Sequence, residues 1–280
     1  MAGPASKLKL SPRLKALIAL PSARGSAIPA PPLAKTRAIL DRIRTAGEAG
    51  GVGRDTWISL STATLFTVNS PESICQLYDY ATEGNELPSN ILTAAIMRET
   101  GLKCITFGGV PRAINNLNAL RAHLPENVVD GLSKKPVREP HDIPALYQRG
   151  RNLWDGIYEP HAQKLVDKLG DSHPDMPVHI LNSHYGPLLS DPVGHVGDND
   201  FRLGRLLTSV IAIAALRAQT GVGPQVTSHV FGLKKAVLPD GGADGREIQG
   251  QDWLVSDDGV RWLIESVDEL SAEVRGDNVQ

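Results

Sequence analysis

Cysteine is nearly absent from this chain. The 280 residues contain two, Cys75 and Cys104, and no CxxC pair. That excludes a disulfide framework and a thiolate zinc site, and it makes a reducing compartment the default. Aromatic residues make up 5%, so the core must be built from Leu, Ile, Val and Ala, which favours helix packing over a sandwich of β-branched and aromatic strands. Net charge is small as well. At −2, it gives no electrostatic ground for a nucleic-acid partner or an anionic membrane surface. No apolar run approaches the roughly 20 residues of a spanning helix. The longest, 206–216, is interrupted by Thr208 and Ser209, and the run 16–20 is too short for a secretory signal.

Acidic residues are missing from the first 40 positions, which carry Lys7, Lys9, Arg13, Lys15, Arg24, Lys35 and Arg37. This composition suits a solvated basic tail on a cytoplasmic protein, or a mitochondrial transit segment as the alternative. Pro21, Pro29, Pro31 and Pro32 would break any long amphipathic helix there.

What is present is helical periodicity. Residues 1–50 read as a basic, flexible segment with a short helix at 36–49. Residues 55–68 are rich in Thr and Ser, as a strand would be, but Asn69-Ser70-Pro71-Glu72 is a helix start and argues for a helical unit. Two helices are expected within 86–124, meeting at Gly108-Gly109-Val110-Pro111, the second burying Ile114, Leu117, Leu120 and Leu124. Prolines mark 125–144 as a linker, the apolar spacing from Leu146 to Leu169 reads as helix with a break expected at Pro160, and 173–200 reads as a loop. The segment 206–216 is apolar nearly all round, as in a central buried helix, and Val226, Val230, Leu233 and Val237 form a stripe containing His229. A flexible loop over 239–250 and a last amphipathic helix from Val260 to Leu270 follow.

The two halves share a plan. Residues 60–65 followed by 69–81, and 211–216 followed by 223–232, each give an apolar helix, a turn with proline and an amphipathic helix. Laying Leu65 on Leu216 sets Tyr78 opposite His229 and Ile74 opposite Gln225. The expected fold is all-α, an antiparallel helical bundle of two divergent repeats. Its units are the basic segment 1–50, a first repeat at 51–125, a linker and connecting helix at 126–172, and a second repeat with the C-terminal helix at 173–280.

Two stretches carry a family resemblance. Residues 107–117, from Phe107-Gly108-Gly109-Val110-Pro111 to Asn116-Leu117, resemble the helix–glycine–proline–helix element of the carboxymuconolactone decarboxylase and AhpD-like proteins. Tyr185-Gly186 onward, Arg205-Leu206-Leu207-Thr208 and Gln225 to Val230 are similar to that family's central helix and histidine helix. The resemblance implies an AhpD-like all-α fold that assembles with itself as trimers or hexamers. It also implies either thiol peroxidase chemistry or cofactor-free decarboxylation of a small lactone acid. The peroxidase uses a CxxC dyad, a histidine four residues after it and an upstream glutamate. With His229 as that histidine, the cysteine positions hold Val222 and Gln225, and the glutamate falls near Arg205. In the first unit the equivalent positions hold Pro71, Ile74 and Tyr78, with Cys75 one residue off. A disulfide cycle needs a resolving thiol, so peroxidase chemistry is disfavoured.

The expected function is therefore a lyase or related enzyme acting on a small organic acid or lactone, with no cofactor and no metal. The alternative is an inactive helical oligomerisation scaffold. His229, with an ordinary pKa near neutrality, is the candidate acid–base residue, and Cys104, beside Lys103, the candidate thiol. Arg112 and Arg98, the latter next to Glu99, are candidate carboxylate anchors. His173, His179, His184 and His195 lie at spacings that match no helical ligand pair and no HExxH motif, which argues against a metal site.

Overall fold

A computed structural model describes residues 9–21, 27–138, 142–192, 201–238 and 247–277. Among these the chain is all-helical and contains no strand. The helices are α1 (Pro12–Ile18), α2 (Leu33–Ala49), α3 (Arg54–Val68), α4 (Pro71–Thr82), α5 (Leu87–Lys103), α6 (Ile105–Gly108), α7 (Val110–His123) and α8 (Glu126–Gly131). After them come α9 (Ile143–Tyr158), α10 (Ala162–Ser172), α11 (Asp175–His179), a π-helix (Ile180–Leu189), α12 (Gly204–Gln219), α13 (Gly223–Lys235), α14 (Gln251–Leu254) and α15 (Asp257–Arg275).

Helices α3 and α12 pack on each other at the centre, and α15 lies against both. Every residue of α3 from Thr56 to Val68 is buried. Its Thr and Ser content does not make a strand, because short hydroxyl side chains can be satisfied inside a helix. Thr64 and Thr67 donate to the carbonyls of Leu60 and Ala63 one turn back. Asn69 then ends the helix in the left-handed region at φ 59°, where asparagine is among the residues that fit best. Pro71, Pro88 and Pro111 each stand in the first turn of a helix, where a missing N–H costs nothing.

Several expectations need correction. The basic segment is not loose as far as residue 50, because α2 buries Ile39, Leu40 and Ile43 in the main core. In α7 the buried face runs through Ala113, Asn116 and Leu120, while Ile114 is 52% exposed. The helix is rotated from the expected stripe because Asn116 turns inward, donating to the carbonyl oxygens of Arg112 and Phe66. Gly109, at φ 81°, makes the turn before α7 that a side chain would disfavour. The linker contains the short helix α8, with Val128 and Val129 buried. The expected break at Pro160 falls between α9 and α10.

The expected loop over 173–200 is in part helical. Its π-helix buries Tyr185, Gly186 and Leu189 even though Gly186 and Pro187, which read as loop signals, lie inside it. Residues 193–200, with His195, and 239–246 of the expected flexible loop lie outside the described residues. The glycine-rich part that is described, Gln249–Gly250, hydrogen-bonds back to Gly53 through the Gln249 carbonyl.

Candidate functional site

A second, smaller core is built where α9 crosses the π-helix. The crossing is very close: a Cβ on Gly150 would stand 2.6 Å from the Gly186 nitrogen, and one on Gly186 would stand 2.7 Å from the Leu146 carbonyl oxygen. Two glycines facing each other let the backbones touch. Trp154 and Tyr158, one turn apart on α9, are thereby set against Tyr185. The Trp154 ring centroid lies 4.1 Å from Tyr158 and 5.1 Å from Tyr185. The Trp154 indole donates to the Ala162 carbonyl oxygen at 3.1 Å, fixing its orientation.

His229 enters this cluster from α13. Its Nε2 lies 3.2 Å from the Tyr158 hydroxyl, and that hydroxyl lies 2.9 Å from the Tyr185 hydroxyl. Phe107 of α6 packs edge-on to the imidazole, with ring centroids 6.1 Å apart. Burial, assisted by the Arg205 guanidinium, lowers the His229 pKa to about 3. The ring is therefore neutral under ordinary conditions, with one nitrogen donating and one accepting. Burial likewise raises both tyrosine pKa values, so the two phenols keep their protons. Nδ1 of His229 is buried and has no hydrogen-bond partner. Such a group is costly to leave unmatched, and it is the kind of atom a water or ligand would satisfy.

Arg205 holds the floor of this arrangement. Its guanidinium donates to the carbonyl oxygens of Gly232 (2.9 Å) and Gly156 (3.3 Å) and to the Ser209 hydroxyl, joining α12 to α13 and α9. A cation thus stands where the family resemblance places a glutamate. Beside it, the fully buried ammonium of Lys103 donates to the Leu189 carbonyl oxygen (2.6 Å), Asp191 (2.7 Å) and Thr208 (2.8 Å). Burial pushes the Asp191 carboxyl pKa up, but Lys103 and the Gly204 amide more than offset that and hold it below its usual value.

The sequence-predicted residues do not gather at one place. His229 is in the aromatic cluster. Cys104 lies in the main core, where burial drives its thiol pKa far upward. Lys103 does not activate it, because the ammonium is committed to Leu189, Asp191 and Thr208. Cys75 is half-buried and its pKa is raised to about 11 by burial and by Asp79 and Glu72. Arg112 is exposed and donates to the Thr67 carbonyl oxygen at 2.6 Å. Arg98 is exposed on α5, bound to the Ser133 carbonyl oxygen at 3.3 Å. His184 meets Thr106 at 3.2 Å and the ring of His179, and the amide of Asp175 donates to His173. Among the described residues no three His, Cys, Asp or Glu side chains form a metal-binding group.

Tyr158, Tyr185 and Trp154 are the members that sequence reasoning missed. One signal was available: in a chain poor in aromatics, Trp154 and Tyr158 share one helix face at i, i+4.

Among known proteins, Peroxisomal protein 2 of Saccharomyces cerevisiae is 26% identical over 237 residues, covering 64% of this chain and 80% of the relative. No family model matches the chain. No solved structure matches it either. No helix among the described residues is long and apolar enough to cross a membrane. The yeast protein is a distant relative, and the likeness to carboxymuconolactone decarboxylase and AhpD-like proteins stands as a resemblance in the motifs.

Proposed function

We propose that this protein is a cofactor-independent acid–base enzyme acting on a small organic acid or lactone, with His229 as the proton-transferring group. The observation that carries this reading is the buried His229–Tyr158–Tyr185 chain, whose outer ring nitrogen has no partner. If Nε2–H donates to Tyr158, the tautomer is fixed and Nδ1 presents a lone pair. The low pKa keeps that lone pair unprotonated at neutral pH, and a bound carboxylate beside it would raise its basicity toward the useful range. Tyr158 is half-buried, whereas Tyr185 and His229 are buried. Arg205 positions the ring, through its bonds to α9 and α13, and supplies fixed positive charge near it.

The reading is tested by incubating the full chain with a panel of lactone and β-keto acids in D2O and following deuterium incorporation and product by NMR. His229→Gln and Tyr158→Phe should each lower turnover by 10²-fold or more, the range general acid–base groups supply. Turnover indifferent to both substitutions would sink it.

A second reading, an inactive scaffold that assembles with itself, is favoured by exposed apolar side chains at helical spacings. Phe231 (62% exposed) and Leu238 lie on and just past α13, and Val110 and Ile114 share α7. Light scattering coupled to size exclusion tests it, and a strict monomer would count against it. Thiol peroxidase action is least supported, since burial raises both thiol pKa values. The yeast relative's name motivates a peroxisomal location, which co-localisation of a tagged full chain with a peroxisomal marker would test. Diffuse or mitochondrial signal would remove that location.

A further inference from the structure

A cleft of about 300 Å³ lies between α5, α7 and the segment 135–138. It shares no lining residue with the His229 cluster. Its walls are two-natured. Ala95, Leu102, Leu117 and Phe201 contribute apolar lining, and Arg98, Lys135 and Arg138 contribute cations beside one carboxylate, Glu99. Arg138 is already engaged, because its guanidinium takes both oxygens of Glu99 and the pair is largely withdrawn from solvent (19% and 14% exposed). That bidentate pair is neutral as a unit and rigid in geometry. The charge left over belongs to Arg98 and Lys135. Arg98 has a neutral acceptor, the Ser133 carbonyl oxygen, and among the described residues neither cation has a carboxylate partner.

We infer that this cleft binds a small amphipathic carboxylate, with its apolar body on Leu102, Leu117 and Phe201 and its charge between Arg98 and Lys135. The volume lies at the small end of ligand pockets and suits a molecule of one ring or a short chain. A cation would meet two like charges at the rim. An anion without an apolar body would leave the apolar lining wet. The site is independent of the chemistry proposed for His229.

Benzoate is the probe, titrated into the full chain by calorimetry and by saturation-transfer NMR. Benzylamine serves as the ring of opposite charge and inorganic phosphate as the charge without a ring. Saturable benzoate binding is expected, with a Kd on the order of millimolar for so few atoms. It should weaken at least about fivefold in the double variant Arg98→Gln, Lys135→Gln, in keeping with loss of charge-assisted hydrogen bonds. Both residues are exposed, so the fold should persist; Arg98→Gln alone, expected to weaken binding in the same direction, serves if the double variant does not fold. Arg121→Gln, which removes an exposed cation of α7 outside the cleft lining, should leave benzoate binding unchanged. Any of four results would overturn the inference: no saturable benzoate binding, equal binding of benzylamine or phosphate, indifference to the Arg98 and Lys135 substitutions, or an equal loss of binding in Arg121→Gln.

Discussion

Helices α3 and α12 sit side by side at the centre of the molecule and are almost wholly buried, with six serine and threonine hydroxyls on α3 and two on α12, and they treat their polar groups differently. In α3 the hydroxyls of Thr56, Ser59, Ser61 and Thr62 have no hydrogen-bond partner. Those of Thr64 and Thr67 bond only to their own helix. In α12 the polar groups reach outward: Arg205 to α9 and α13, and Thr208 to Lys103 of α5. Burial alone therefore does not locate a site. Where buried polar groups are wired to other elements, they can position titratable side chains: the aromatic cluster with His229 is tied to α12 through Arg205, whereas the outward bonds of α3 come from Arg54 at its N-terminal end.

The largest expected effect breaks the wired side. Lys103→Met removes the cation from a carboxylate that is mostly buried, and should destabilise the protein by about 3–5 kcal/mol in denaturant unfolding. Adding Asp191→Leu should recover more than half of that loss. A pure packing role for Lys103 predicts no recovery.

Next in size is a pH effect at His229. Its folded-state pKa, about 3, lies below the ordinary 6.5, so the unfolded chain takes up a proton where the folded chain does not. Its contribution to stability is complete above about pH 6.5. It is lost as pH falls toward 3, at up to about 1.4 kcal/mol per pH unit. His229→Phe should flatten the stability profile across that window, as read from urea midpoints at each pH. An unchanged slope would show the ring to be ordinarily solvated.

Gly150→Ala tests the crossing that builds the site. The added methyl meets backbone atoms of the π-helix that cannot swing away, so about 1–3 kcal/mol of destabilisation is expected, together with loss of any His229-dependent turnover as Tyr185 shifts. The smallest effect belongs to α3. Thr62→Val replaces an unpartnered hydroxyl with a methyl of the same shape and should fall within about 1 kcal/mol of the parent, on the stabilising side. A loss comparable to that of Lys103→Met would erase the contrast between the two helices.

Much of the helical scaffold was legible because caps and periodicity are local. Asn69, Pro71, Pro88 and Pro111 mark helix boundaries through backbone geometry that needs no tertiary partner. The nearly all-apolar character of 206–216 declared a buried helix, and the α13 stripe placed His229 on an inward face. Ile114 misled because its spacing fits a stripe, while Asn116 found carbonyl partners that periodicity does not register. Cys104 misled in another way. Adjacency to Lys103 in sequence says nothing about where the ammonium points once Leu189, Asp191 and Thr208 surround it.

The sequence by itself determined an all-helical chain, the burial of 206–216 and the inward side of His229. These follow from side-chain period and from the conformational limits of proline and asparagine, which act within a few residues. The tertiary structure alone decided that His229 would meet Tyr158, which bonds in turn to Tyr185, and that Arg205 would lie close enough to act on the ring. Those contacts join α9, the π-helix, α12 and α13 through one crossing at Gly150 and Gly186. A glycine pair far apart in sequence carries no periodic signal, and its meaning appears only when the two backbones touch.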